Sequence, residues 1–352
     1  MAIVVLRGLL TLDEDHSVIT NISAFRQIGI ESKLFKFELE PDELFESAIL
    51  GHSNLVLDQG PLTVAALGWN PPERSIHFHL SLLSLSGDSV GCDIPLPTFA
   101  ESKVISEQME RLNTDNLTVL LGEGLDHALV REQRLEIRTT KPSVVCANGL
   151  AASLPEGDNE NEMRRFIDDS INLLAEQEFN VRRTDHGIAP INLCWPWGQG
   201  ERQRIPNRAL ELGVPWRVRA HSLALRGLAK LSGFRPEKLP VCKEIDLRSL
   251  GRTIQGESPT MTIIDFEPAP TDEESREAYL VRLNDLGTQL IEPLLEWRRE
   301  SKSDLCFIAS NQANQGLAAF CVKENARDLF PFDERSLTER RVDTTNLTNL
   351  LE

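Results

Sequence analysis

Short apolar runs near both ends of the chain constrain its fold more than any other feature. Ile3-Val4-Val5-Leu6, followed by Arg7-Gly8, reads as a buried strand that ends in a turn. Met261-Thr262-Ile263-Ile264 and Leu305-Cys306-Phe307-Ile308 lie in the last third of the chain. They suit central strands of a parallel sheet, where both faces are covered and alternation gives way to continuous apolar runs. A short helix over 22–28, closed by Gly29, follows the first strand. Between the two later strands the spacing predicts a long helix. Thr271 and Glu274 form a capping box there, and Ala278, Val281, Leu283, Leu286, Leu290, Leu294 and Leu295 supply its buried face. Strands from both ends thus imply one α/β domain interrupted by whatever the middle of the chain builds.

The middle has a different period. Residues 35–39 alternate Phe35, Phe37 and Leu39 with Lys36 and Glu38, a period-two strand. Residues 76–82 put His77, His79 and Ser81 on one face and Ile76, Phe78, Leu80 and Leu82 on the other, which predicts a half-buried antiparallel strand. Further strands are expected over 117–121, 128–131 and 135–139. A helix is expected over 162–178, where Met163, Phe166, Ile167, Ile171, Leu174 and Ala175 recur at helical spacing. The elements between 76 and 178 form an α+β domain inserted at 71–187, while the strand over 35–39 belongs with 1–70 plus 188–352 to the α/β domain.

A length of 352 residues fits two domains, each with its own core. The net charge of −17 argues against a nucleic-acid partner, because binding a phosphate backbone relies on clustered Lys and Arg. Residues 3–6 are interrupted by Arg7 and fall far short of the roughly 20 apolar residues a membrane span needs, so no membrane partner is expected and the chain is assigned to the cytoplasm. Six cysteines, Cys92, Cys146, Cys194, Cys242, Cys306 and Cys321, contain no C-x-x-C pair and are expected to be buried reduced thiols.

The rarest local pattern begins at Asn180-Val181-Arg182-Arg183, continues through Gly187 and Pro190-Ile191-Asn192, and ends in Trp195-Pro196-Trp197-Gly198-Gln199-Gly200. It resembles the N-x-x-R, Gly, P-A-N, W-x-W-G-Q-G series of the archaeal-type, 2,3-bisphosphoglycerate-independent phosphoglycerate mutases, members of the alkaline phosphatase superfamily. Asp58-Gln59-Gly60-Pro61-Leu62 is similar to that family's G-R-G-P-L, and Leu225-Arg226-Gly227-Leu228-Ala229-Lys230-Leu231 to its L-K-G-I-G-K-L. The resemblance implies an alkaline-phosphatase-like, doubly wound, mostly parallel sheet carrying an inserted α+β domain. It also implies interconversion of 2- and 3-phosphoglycerate, as in glycolysis, through a phosphoserine and two divalent cations (manganese, magnesium or zinc).

The positions that would carry this chemistry are replaced. Where the family has V-x-x-D-G, with the Asp a metal ligand, this chain has Val4-Val5-Leu6-Arg7-Gly8, and a cation repels a dication. Asp42 falls at the serine position and Ser47 five residues late. The D-H ligand pair becomes Ser310-Asn311, and of the acidic strand end around Asp265, Glu267 alone matches. The family's Y-R-H becomes Leu125-Asp126-His127. His127, Asn180, Arg183 and Gln199 remain as the substrate-binding candidates, although Asn180, Arg183 and Gln199 are more readily read as kept by folding, with the tight Gly198-Gln199-Gly200 turn and the tryptophans packing the domain junction; no catalytic and no metal-ligating residue is assigned.

Two clusters have plainer explanations. His77 and His79 form an H-x-H without a further ligand, which suits an ordinary polar strand face. Asp265, Glu267, Asp272, Glu273 and Glu274 match the acidic start of a helix. The expectation is therefore a non-catalytic homologue without cofactor, acting by binding an anionic small molecule or a protein partner. The alternative is a divergent metal-dependent mutase, or related phosphotransferase, drawing ligands from Asp13, Asp15, Asp42 or Asp58.

Overall fold

The computed structural model describes residues 2–10, 33–38, 50, 52, 55, 57–213, 216–257, 259–265, 273–311 and 316–321. In chain order the strands and helices are β1 (Ala2–Leu10), β2 (Lys33–Glu38), α1 (Gln59–Ala66), β3 (Ile76–Ser86), β4 (Ser89–Gly91), α2 (Phe99–Glu110), β5 (Leu117–Glu123), β6 (Asp126–Arg131), β7 (Ile137–Arg138) and α3 (Pro142–Asn148). They continue with β8 (Glu156–Gly157), α4 (Glu160–Ala175), α5 (Glu178–Asp185), β9 (Leu193–Glu201), α6 (Arg208–Glu211), β10 (Arg217–Ala220), α7 (Leu223–Leu231), β11 (Arg235–Lys238) and α8 (Leu247–Gly256). The last are β12 (Thr260–Asp265), α9 (Glu273–Asp285), α10 (Glu292–Ser301), β13 (Leu305–Asn311) and β14 (Gly316–Cys321), with a π-helical segment, Leu286–Ile291, joining α9 to α10.

Two compact units result, one made of Met1–Val56 with Pro206–Glu352 and the other of Leu57–Ile205. The first holds a sheet in the order β11-β10-β12-β1-β13-β14-β2. β11, β10, β12, β1 and β13 run parallel, and β14 is antiparallel to both of its neighbours. The three apolar runs thus become adjacent strands at the centre of the sheet, β12, β1 and β13, as their composition requires. Ala2, Val4, Leu6, Ile264, Leu305 and Phe307 form one core with Leu247, Leu250 and Ile254 of α8 and with Leu283, Leu286, Leu290, Leu294 and Leu295. Ala278 and Val281, expected in that buried face, are exposed. The buried stripe begins at Leu283 and continues through the π segment, whose extra residue per turn keeps both Leu290 and Ile291 inward.

The second unit contains a sheet in which β3 pairs antiparallel with β6 on one side and β9 on the other, β5 extending it beyond β6 and β4 folding back on the end of β3. The unit boundaries fall at 57 and 205, not at 71 and 187, because α1 and β9 both pack on β3 and cannot be separated from it. Only Ile137–Arg138 of the strand expected over 135–139 forms, paired with β8. The largest correction concerns β3 itself, whose first nine residues are all buried. Phe78, Leu80 and Leu82 enter a core with Ile105, Met109, Met163, Phe166, Ile167 and Trp195, while the polar face is roofed by α1. α1 approaches so closely that a Cβ on Gly60 would lie 2.2 Å from the carbonyl oxygen of His77. Glycine is the residue that allows this backbone-to-backbone contact.

The cysteines also depart from expectation. Cys92 and Cys146 are joined in a disulfide, because α3 lies beside β4 although 54 residues separate the two in sequence. Cys194 and Cys306 are free and buried, and burial pushes the Cys194 thiol up to about 12, which keeps it inert. No helix among the described residues is long and apolar enough to cross a membrane. The helix expected over 22–28, the Thr271 cap, and Asp13, Asp15, Asp42, Ser47, Glu267 and Asp272 lie outside the described residues.

Candidate functional site

Ligands of open α/β sheets bind beyond the carboxyl ends of the strands. In the first unit that edge is formed by Arg7 of β1, Asp265 of β12 and the backbone of Ser310 and Asn311 in β13. Arg7 and Asp265 are register partners on adjacent parallel strands, and an Arg7 guanidinium nitrogen lies 3.5 Å from Asp265 Oδ1 with both side chains about a quarter to a third exposed (26% and 30%). A guanidinium thus lies beside Asp265 at this edge, where it would repel a dication brought to that carboxylate. These residues do not fit a two-cation centre. Among the described residues no group of three His, Cys, Asp or Glu side chains is placed to hold a metal ion.

The tryptophan motif folds within the second unit. Along β9, the pairing with β3 steps from His77↔Gly200 to His79↔Trp197, so three steps on β9 oppose two on β3, a β-bulge centred on Gly198 and Gln199. Gly198 takes φ +61°, and a Cβ there would meet the Gln59 side chain at 2.8 Å, while one on Gly200 would meet Asp58 Oδ2 at 2.3 Å. Both glycines thus let the bulge lie against the start of α1. Trp195 is fully buried and its indole N–H donates to Thr140 O at 2.7 Å. Trp197 donates to Ser81 Oγ at 2.9 Å and packs its ring 4.9 Å from that of His79. Burial raises the Asp58 carboxyl above its usual range, and Gln203 Nε2 lies 3.5 Å from it.

Under α1 lies a buried polar layer that the alternation of β3 alone did not reveal. Thr63 Oγ1 is 2.8 Å from His79 Nδ1, and Asp126 Oδ1 is 2.9 Å from His79 Nε2, so the imidazole is held at both nitrogens. Ser75 donates to Pro72 O at 2.6 Å and therefore accepts from His77 Nε2 at 2.9 Å. That fixes the neutral tautomer of His77, whose Nδ1 is buried without a hydrogen-bond partner. Burial, aided by the charge of Arg202, brings His77 down to about 4.

The four substrate-binding candidates are dispersed through this unit and engaged by it. Asn180 is 2% exposed; its amide nitrogen donates to Leu174 O and Ile191 O, both at 2.8 Å, and its oxygen accepts the Ile191 N–H at 2.7 Å. Arg183, 5% exposed, uses Nε on Ala189 O, one terminal nitrogen on Pro95 O and the other on Glu101. Burial opposes ionisation of Glu101, yet the hydrogen bonds from Thr98 and Arg183 together hold its carboxyl below the usual range. His127 is buried with Nδ1 accepting the Gly122 N–H at 2.9 Å, and burial brings it to about 4. Gln199, half-buried on the bulge, accepts from the Thr139 hydroxyl.

Sequence reading missed Thr139, Thr63 and Ser75, since a hydroxyl that completes a buried network carries no motif of its own. The hydrogen bonds of Trp195 and Trp197 lie within the second unit.

No protein-family model matches the chain. A 2,3-bisphosphoglycerate-independent phosphoglycerate mutase 2 of Methanothermobacter thermautotrophicus is 22% identical over 204 residues, covering 56% of this chain and 51% of that protein. A 2,3-bisphosphoglycerate-independent phosphoglycerate mutase of Methanothrix thermoacetophila is 29% identical over 184 residues, covering 52% of this chain and 46% of its own. The matched regions thus span about half the length of these curated relatives. A solved cofactor-independent phosphoglycerate mutase from Thermoplasma acidophilum superposes with a TM-score of 0.53 at 13% identity over 99% of this chain and 98% of its own. A solved protein of Pyrococcus horikoshii gives 0.61 at 11% identity over 97% of this chain and 91% of its own. The chain therefore has the fold of the cofactor-independent phosphoglycerate mutases, and over about half its length its sequence is similar to those two enzymes.

Proposed function

We propose that this phosphoglycerate mutase-like chain does not transfer phosphoryl groups and works instead by binding a small anionic ligand or a protein. The Arg7–Asp265 ion pair at the carboxyl edge of the parallel sheet carries this reading. Phosphoryl transfer through a two-cation centre needs acids there that are free to ligate, and a guanidinium seated on the neighbouring strand opposes both the metals and their ligand. Engagement of Asn180 and Arg183 by backbone carbonyls gives them a scaffold role in the second unit. The test is an enzyme-coupled assay of 2- and 3-phosphoglycerate interconversion with the full chain and saturating manganese. No turnover above the protein-free rate is expected; manganese-dependent turnover would overturn the proposal in favour of a divergent mutase.

A further inference from the structure

The disulfide lies in the middle of a strap, residues 139–151, that is otherwise held at its two ends. At the front, Thr139 donates to Gln199 and Thr140 O accepts the Trp195 indole N–H, so the strap starts on the β9 bulge. At the back, the Leu150 N–H donates to Asp88 O at 2.9 Å and the Ala151 N–H to Asp88 Oδ1 at 2.8 Å. Between these ends runs α3, seven residues long and burying one side chain, Val145. So short a helix has little packing of its own to hold it in place. What fastens it is the bond from Cys146 to Cys92, which sits just past β4. Cys92 is exposed and Cys146 half-buried, so the sulfur of Cys92 is open to attack from solvent. Pro142 O lies 3.3 Å from Cys92 Sγ, an acceptor ready for the thiol proton once the bond is broken.

We propose that Cys92–Cys146 is a reversible redox fastener that couples thiol status to the Gln199 bulge. A glutathione-type thiolate attacks Cys92 Sγ, the sulfur–sulfur bond breaks, and Cys146 leaves as a thiolate that takes up a proton. A second small thiol resolves the mixed disulfide and releases the Cys92 thiol. Overall, two small thiols are oxidised to one small disulfide while the protein disulfide gains two electrons and two protons; a glutathione-type disulfide drives the reverse. Reduction removes the covalent tie at the centre of the strap and leaves the Thr139–Gln199 and Thr140–Trp195 bonds, the buried Val145 and the Asp88 bonds to hold it. The sheet is spared, because β3, β6 and β9 are joined by their own ladders.

The experiment equilibrates the full chain in a series of reduced and oxidised glutathione mixtures. Alkylation read by mass counts the thiols, and amide hydrogen exchange is compared between the two end states. Expected are a reversible change of two thiols, exchange at least about tenfold faster over 139–151 and at the 197–200 bulge in the reduced state, and unchanged protection over 76–82 and 126–131. Cys92→Ser and Cys146→Ala should each behave as the reduced form in every mixture. Failure of the disulfide to form in oxidised glutathione would overturn the proposal, as would equal exchange of the strap and bulge in both states.

Discussion

Arg7 and Asp265 are register partners on adjacent parallel strands, Asp265 at the end of β12 and Arg7 within β1, which runs on to Leu10 instead of turning at Gly8, and their side chains meet at 3.5 Å. The pairing has a basis in the sequence, since the cation that follows the apolar run 3–6 lies level, in parallel register, with the acid that follows the apolar run 261–264. Arg7→Asp should set two carboxylates across that gap. We expect a loss of about 1–2 kcal/mol at low ionic strength, shrinking as salt is raised because the pair is partly exposed. Urea titrations at two salt concentrations measure it, and a salt-independent loss would mean that packing, not charge, is what changed.

Three buried histidines should make stability fall in mild acid. Burial lowers His52, His77 and His127 from 6.5 to about 4, with Arg208 and Arg202 adding to the effect at His52 and His77. Above pH 6.5 each is neutral folded or unfolded and costs nothing. As pH falls from about 6.5 towards 4 the unfolded chain takes up protons that the folded chain refuses, so stability drops by up to about 1.4 kcal/mol per pH unit per histidine, levelling off below 4. Denaturation midpoints across this range measure the slope, and replacing His77 by Gln should reduce it.

Asn180→Ala should cost about 2–4 kcal/mol, because it strands the Ile191 N–H and two carbonyl oxygens in the core. Chemical denaturation measures the loss. A variant of native stability would show that the side chain is not the clamp we describe.

Gly60 and Gly91 offer a contrast within one unit. A Cβ on Gly60 would lie 2.2 Å from a backbone oxygen, whereas on Gly91 the nearest atom is the Ser84 Cβ at 3.5 Å. Gly60→Ala should therefore lose more than about 3 kcal/mol or fail to fold, and Gly91→Ala should stay within about 0.5 kcal/mol of wild type. Thermal melts of the two variants decide it.

Much of the fold was legible because the strongest signals were strand runs almost wholly apolar, Thr262 being the one polar residue within them. β12, β1 and β13 came out at the sheet centre on that ground alone. The alternation of β3 misled, since a polar stripe looks solvent-facing until a helix roofs it, and only Gly60 hinted at so close an approach. Asn180 and Arg183 stood out in the sequence, and in the structure their side chains bond backbone carbonyls and Glu101. A sequence displays which side chains can make several hydrogen bonds, but not whether a carbonyl or a ligand receives them. The Cys92–Cys146 pairing was invisible for a similar reason, as 54 residues of chain separate two thiols that only the packing of α3 beside β4 brings together.

Manganese titration calorimetry of the wild-type chain tests the central claim most directly. With Arg7 paired to Asp265 at the sheet edge, the account predicts no stoichiometric binding up to millimolar manganese. Saturable binding of one or two ions per chain in the micromolar range would contradict it.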